Sequence, residues 1–182
     1  MSDSQLRRVS KGLALILRHD AARFELTMDP EGFVPIAEVV AALVRMGIPA
    51  SDALVRQVVA GVDVHKQRYS IVENDIRANY GHSLERRIEH APATPPRDLF
   101  HGTTAATRET ILREGLQPMA RQYVHLTTDR ELARQVGARR GAPCVLRVDA
   151  LRASADGIVF MQANEFFWLV RSLPPRYLLV LA

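Results

Sequence analysis

The chain has 182 residues, 47% hydrophobic and 24% charged, with a formal net charge of +4. That is enough for one large or two small domains, each with a modest core. No apolar run approaches the ~20 residues of a membrane helix; the opening MSDSQLRR lacks the apolar stretch of a secretory signal, and a lone Cys144 excludes a disulfide framework or cysteine-rich zinc site, so the cytoplasm is the expected compartment.

The spacing predicts a first helix from Ser4 to His19, capped by Asp3 or Ser4. Leu6, Val9, Leu13, Ile16 and Leu17 share one face of it, and Arg7, Lys11 and Arg18 fall within ~40° of each other on another. A second helix is expected over 36–46, entered through Pro35 and stopped at Gly47. A third is expected over 52–60, capped by Ser51 or Asp52 and stopped at Gly61. "RYSIV" then alternates like a strand, "END" turns, and "IRANY" returns. Three helices followed by a β-hairpin is the order of a winged helix, a fold that does not by itself prove function.

"HAPATPPRD" cannot continue a helix or a central strand. It divides the chain into residues 1–90, a proline-rich linker at 91–97, and residues 98–182. In the second part, "DLFHGT" reads as a strand and "TAATRETILREGL" as a helix that Gly115 stops. "YVHLTTD" is a strand feeding a helix through a capping box from Thr128 to Glu131. After the loop "GARRGAP" come the strand-like runs "CVLRVD", "IVFMQ", "FFWLV" and "RYLLVLA". Many strands with two short helices make an α+β domain, and no G-x-G-x-x-G marks a Rossmann nucleotide site.

The halves differ little in charge: 12 Lys/Arg against 12 Asp/Glu over residues 1–90, and 12 against 8 over 91–182. Nucleic-acid binding therefore does not follow from bulk charge. Only Lys11 and Lys66 are lysines, and the other 22 cations are arginines. Arginine suits bidentate phosphate contacts, although a GC-rich genome gives the same bias.

Arg18 and His19 end the first helix, where cations also serve simply by meeting the helix dipole, worth about 0.3–1 kcal/mol. Arg77 precedes a glycine turn and His82-Ser83. His101 stands at a strand end before Gly102, a glycine that could let a ligand approach the backbone. His125 stands in a second such strand, and Arg139-Arg140 follow a helix. Each has a plainer reading as a cap, a turn, a partly buried histidine or a solvated loop. The histidines His19, His65, His82, His90, His101 and His125 form no metal-binding spacing, and no G-x-S-x-G elbow occurs. What remains suits phosphate chemistry without a metal: arginines neutralise developing charge and histidines move protons.

The segments "VSKGLALILRH", "QRYS" with "IRANYGHS", "LFHGT", "GLQPMARQYVHLTTD", "VGARRG" and "WLVRSLPPRYL" together resemble the NAD-dependent RNA (tRNA) 2′-phosphotransferases, in family order across nearly the whole chain. The resemblance implies a winged-helix RNA lobe over 1–90 and an ADP-ribosyltransferase-like NAD lobe over 98–182. It implies NAD consumed as co-substrate and an RNA with an internal 2′-phosphate as partner. The residues themselves give the expectations of no metal and no membrane, and, with no long unpaired apolar segment, of a monomeric chain. By motif, the family's catalytic residues fall on Arg18, His19, Arg77 and Arg139. NAD contacts fall on His101, Gly102 and Thr103 and on His125, Leu126 and Thr127. Lys11, Arg68, His82 and Ser83 are candidates for RNA or phosphate contact.

One departure stands out. The family usually reads Asn-Gly-Val before the late Trp-Leu, where this chain has Glu165-Phe166-Phe167 before Trp168-Leu169. Glu165 is also near the position of the catalytic glutamate in protein ADP-ribosyltransferases, against the plainer reading of a surface carboxylate at a strand start. Glu165 keeps open an ADP-ribosyltransferase acting on nucleic-acid terminal phosphates or protein, and the helix-and-hairpin order of the first part keeps open a non-catalytic winged-helix binder.

Overall fold

Two separate apolar patterns build two separate cores. The computed structural model describes residues 3–61 and 67–181, so His65 and Lys66 lie outside the described residues. The chain divides into one unit over Met1–Glu89 and another over His90–Ala182. Both are mixtures of helix with an antiparallel sheet, three-stranded in the first and six-stranded in the second. No helix among the described residues is long and apolar enough to cross a membrane.

In the first unit, α1 (Asp3–Arg18) turns its i, i+3, i+4 stripe inward, and Val9, Leu13, Ile16 and Leu17 are fully buried. β1 (Val34–Pro35) leads into α2 (Ile36–Arg45), which sets Val39, Ala42 and Leu43 into the same core. α3 (Asp52–Ala60) starts where Ser51 Oγ accepts the Leu54 N–H at 3.3 Å, and adds Leu54, Val55 and Val58. Each buried aliphatic contributes about 1.5–3 kcal/mol, against about 1 kcal/mol for a cap, so the stripes place the helices and the cap trims the ends. β2 (Tyr69–Val72) and β3 (Asp75–Ala78) form the hairpin, with Tyr69 opposite Ala78. The sheet order is β1-β3-β2. β1 was not expected from the sequence: it is two residues long, and Pro35 can stand only on an edge.

In the second unit, β4 (Asp98–Thr104), β5 (Val124–Thr127), β6 (Pro143–Asp149), β7 (Phe160–Gln162), β8 (Phe167–Val170) and β9 (Leu178–Leu181) are ordered β7-β8-β5-β4-β6-β9. Alternate residues Leu99, Leu126, Leu146, Phe160 and Trp168 face one core. Residues 91–97, expected as a linker, run along this unit: Pro92 bridges Met161, and the Ala93 N–H donates to the Phe160 carbonyl at 2.9 Å. Of its helices, α4 (Ala105–Glu114) and α5 (Arg130–Ala138) match the two expected, while a third, α6 (Ala150–Ala155), is entered through Asp149, which accepts the Arg152 N–H at 3.2 Å. The capping box from Thr128 does not form. Asp129 is the cap, its Oδ1 accepting the Glu131 and Leu132 N–H groups at 2.8 and 3.1 Å, while Glu131 turns to Arg134.

α5 lies backbone against backbone on β4. A methyl at Gly102 would collide with the Ala133 carbonyl, and one at Gly137 with the Thr103 carbonyl. Beside this seam, β4 and β5 are in register only at Phe100 and Thr127. Next to that pair the His101 Nδ1–H donates to the His125 carbonyl at 2.9 Å. Burial holds His101 below its ordinary 6.5, with the His125 bond acting in the opposite direction.

Trp168 is the chain's single tryptophan and is 5% exposed, so its fluorescence reports on the second unit. Urea unfolding followed at Trp168 is expected to show Gly102→Ala destabilised by about 3 kcal/mol or more, since backbone cannot rotate out of the way as a side chain can. An unshifted midpoint would contradict the seam. The same signal should show a pH dependence from His101. The unfolded imidazole titrates near 6.5 and the folded one lower, so the unfolded chain binds more protons between the two values. Stability is full above pH 6.5 and falls as pH drops through that window, and the fall should be smaller in His101→Asn.

Candidate active site

A helix leaves its last carbonyls without intrahelical donors. α1 closes with the His19 and Asp20 N–H groups both on the Leu15 carbonyl, at 3.2 and 3.0 Å. The Arg18 carbonyl goes to a distant part of the chain, accepting the Ser83 N–H at 2.9 Å. The same serine meets the side chain that follows, with His19 Nδ1 2.8 Å from Ser83 Oγ. Gly81, at φ +90°, permits the turn that brings Ser83 there.

The Arg18 guanidinium lies over two rings, 5.5 Å from the Tyr69 centroid and 5.2 Å from that of Tyr80, and Nη2 donates to the Arg68 carbonyl at 3.5 Å. Each such ring stabilises a cation by about 0.5–1 kcal/mol at exposed sites and more where water is excluded. Tyr69 is itself fixed from α1, its hydroxyl donating to the Ser10 carbonyl at 2.9 Å. Burial pushes the Tyr69 phenol up, with the Arg18 charge pulling the other way. The Arg68 carbonyl also accepts the Asn79 N–H at 2.9 Å, which prolongs the β2–β3 ladder past Tyr69. Asn79 completes the lattice, its Nδ2 donating to the Gln67 carbonyl at 3.1 Å and its Oδ1 accepting from Ser70 at 2.7 Å.

Arg18, His19, Ser83 and the Arg68 main chain are thus brought together. His82 is only 2% exposed, so its side chain is interior. Lys11 is exposed one stretch back along α1, and Arg7 of the same predicted face is turned to Asp3 at 2.7 Å. Arg77 sits on β3 in different company. Its guanidinium is 4.6 Å from the Phe33 ring centroid and 3.4 Å from Glu31, and its Nε is buried with no hydrogen-bond partner among the described residues.

In the second unit, His101 and His125 meet through the bond already described. The Gly102 space that a ligand could have entered is filled by α5. Thr103 Oγ1 is 2.7 Å and Thr104 Oγ1 3.1 Å from Thr107 Oγ1, which gathers three hydroxyls where β4 becomes α4. Arg139 is exposed just past α5, between Gly137, which abuts Thr103, and Gly141, whose Cβ position is 3.7 Å from the Thr104 methyl. The Ala105 N–H donates to the Ala142 carbonyl at 2.9 Å, fixing this loop beside the hydroxyls. Leu126 is 1% exposed and serves the core, and Thr127 Oγ1 accepts the Asp129 N–H at 3.1 Å, which shapes the entry to α5. Glu165 is exposed in the β7–β8 turn, where Asn164 Oδ1 accepts the Phe166 and Phe167 N–H groups at 2.9 and 2.7 Å.

A groove of about 380 Å³ between α5, β6 and β9 is lined by Arg130, Glu131, Arg134, Pro143, Val145 and Leu181. No candidate residue borders it, and its Glu131–Arg134 pair is already closed on itself at 2.7 Å. Among the described residues no group of three His, Cys, Asp or Glu could hold a metal ion. Sequence reasoning missed Tyr69, Tyr80 and Phe33, the ring partners of the two arginines. For the tyrosines the signal was available in "QRYS" and "ANYGHS", where Tyr69 follows Arg68 and Tyr80 stands two residues before His82.

The comparisons agree on one family. Residues 4–172 match the model of the family described as RNA 2′-phosphotransferase, Tpt1 / KptA family. A protein of Streptomyces griseus subsp. griseus named "Probable RNA 2′-phosphotransferase" is 42% identical, with 99% of each chain covered. Proteins of the same name from Streptomyces coelicolor and Hahella chejuensis are 44% and 37% identical, each covering 98% of this chain and 97% and 96% of their own. A chain matched over nearly its full length in this way belongs to the RNA 2′-phosphotransferase family.

Proposed function

We propose that the chain removes an internal 2′-phosphate from RNA by transferring it to NAD in two steps. We read the first unit as a winged-helix RNA lobe and the second as an ADP-ribosyltransferase-like NAD lobe. NAD supplies an electrophilic anomeric carbon with nicotinamide as its leaving group. In the first step a phosphate oxygen bonds to that carbon as the nicotinamide bond breaks. In the second, the ribose 2″-hydroxyl bonds to phosphorus and the bond to the RNA 2′-oxygen breaks. The products are nicotinamide, 2′-hydroxyl RNA and ADP-ribose 1″,2″-cyclic phosphate.

The observation that carries this is the clamp at the end of α1 in a chain of this family: one serine holds both the Arg18 carbonyl and the His19 ring. The substrate phosphate is the nucleophile, so no enzyme nucleophile is needed. Arg18, held over the rings of Tyr69 and Tyr80, faces the phosphate charge with little freedom left to lose. His19, oriented by Ser83, takes the 2″-hydroxyl proton and returns it to the departing RNA 2′-oxygen. Arg77 is the second phosphate ligand. Arg139 with the hydroxyls of Thr103 and Thr104 suits a pyrophosphate, while burial favours the neutral His101 ring and its bond to the His125 carbonyl fixes how that ring is turned. A cytoplasmic monomer fits this work.

Incubation with NAD and a short RNA bearing one internal 2′-phosphate tests it. RNA lacking that phosphate, together with the cyclic-phosphate ADP-ribose, is expected. ADP-ribosylated RNA as the end product would make the chain an ADP-ribosyltransferase, and intact RNA with intact NAD would make it a binder. His19→Ala should slow release of dephosphorylated RNA by about 10²-fold or more and let ADP-ribosylated RNA accumulate. Ser83→Ala, which removes only an orienting bond worth about 1 kcal/mol, should cost roughly tenfold or less. Wild-type turnover in His19→Ala would remove its role.

A further inference from the structure

Arg77 has an environment that its place on β3 does not require. Among the described residues its Nη1 makes one long contact, 3.4 Å to Glu31 Oε2, and its Nε is buried with no hydrogen-bond partner. A guanidinium is built to fork two oxygens at once, so this one is held but not saturated. Both neighbours come from one turn. The Phe33 N–H donates to Asp29 Oδ1 at 2.8 Å, the Asp29 N–H to the Phe33 carbonyl at 3.1 Å, and the Gly32 N–H to the Asp29 carbonyl at 3.1 Å. Gly32 has φ +86° and rests on Ile88, a buried core residue, so the turn is anchored from below. It offers Phe33 as a flat support 4.6 Å from the Arg77 guanidinium and Glu31 as a carboxylate at its edge. Glu31 itself is 63% exposed and hence loosely held.

We propose that the Asp29–Phe33 turn belongs to the phosphate site: Phe33 presents the Arg77 guanidinium, and Glu31 is a built-in anion that the substrate phosphate displaces. This rests on the reading of Arg77 as a phosphate ligand. Glu31 supplies one weak oxygen where a phosphate would supply two strong ones, so the exchange favours the substrate while excluding weaker anions. Phe33 is a positioning residue, since it acts only through Arg77.

Steady-state kinetics on the full chain with a 2′-phosphorylated RNA separate the possibilities. Glu31→Gln should lower the KM for RNA by about two- to fivefold, as expected for losing an exposed competing charge, and leave kcat unchanged. Glu38→Gln, a charge removed from the exposed side of α2, is the control and should leave KM unaltered. The Glu31→Gln gain should vanish in an Arg77→Ala background. Phe33→Leu should lower kcat/KM, and Phe33→Tyr should keep it. A raised KM or lowered kcat in Glu31→Gln would overturn the proposal, because Glu31 would then be holding Arg77 in place. An equal gain in Glu38→Gln would also overturn it, as a general charge effect. Wild-type kinetics in Arg77→Ala would instead remove the phosphate role of Arg77 on which it stands.

Discussion

The carbonyl of Arg18 is the point on which the first unit turns. A helix end must give its last carbonyls to something, and this one is taken by Ser83, sixty-five residues away in sequence. The consequence is that the 79–83 segment cannot move without α1, and α1 cannot move without its buried stripe. Tyr69 adds a second tie, from β2 to the Ser10 carbonyl. Between these two ties stands the Arg18 guanidinium, over the rings of Tyr69 and Tyr80. A long side chain that would lose up to about 2 kcal/mol of freedom on binding is thereby ordered in advance. His19, exposed and one residue beyond the helix, is ordered by the same serine.

The second unit obeys a different constraint, backbone contact. Helix and strand approach so closely at Gly102 and Gly137 that neither tolerates a Cβ. This is a packing requirement first. It also brings the start of the Arg139 loop close to β4: Gly137, near the end of α5, abuts the Thr103 main chain, and the Ala105 N–H just past Thr104 donates to the Ala142 carbonyl. His101 is tied across the same two strands by its bond to the His125 carbonyl.

Much of this was readable in the sequence, for identifiable reasons. The stripe of Val9, Leu13, Ile16 and Leu17 has a period that only a helix satisfies, and Ser51, Gly61 and Gly115 punctuate as their local chemistry demands. β1 and α6 were hidden because they are too short to show a period and exist only through tertiary pairing. The cap of α5 was displaced by one residue, since Thr128 and Asp129 are both able to cap and Asp129 reaches two N–H groups. The arginines and histidines of the candidate site stood out in the sequence by residue type. Their supports did not: the rings of Tyr69, Tyr80 and Phe33 look like ordinary strand aromatics until the fold sets guanidinium groups over them. Gly102 shows the opposite limit, for a glycine after a strand histidine reads equally as room for a ligand and as room for a helix.

The central claim is that the end of α1, clamped by Ser83, is where the RNA phosphate binds. The most direct measurement is a titration of isotope-labelled protein with two short RNAs that differ only in carrying an internal 2′-phosphate. Side-chain resonances of Arg18 and His19 and the Ser83 amide are predicted to shift with the phosphorylated RNA and to stay in place with the unmodified one. Equal shifts with both RNAs, or shifts that bypass these three residues, would contradict it.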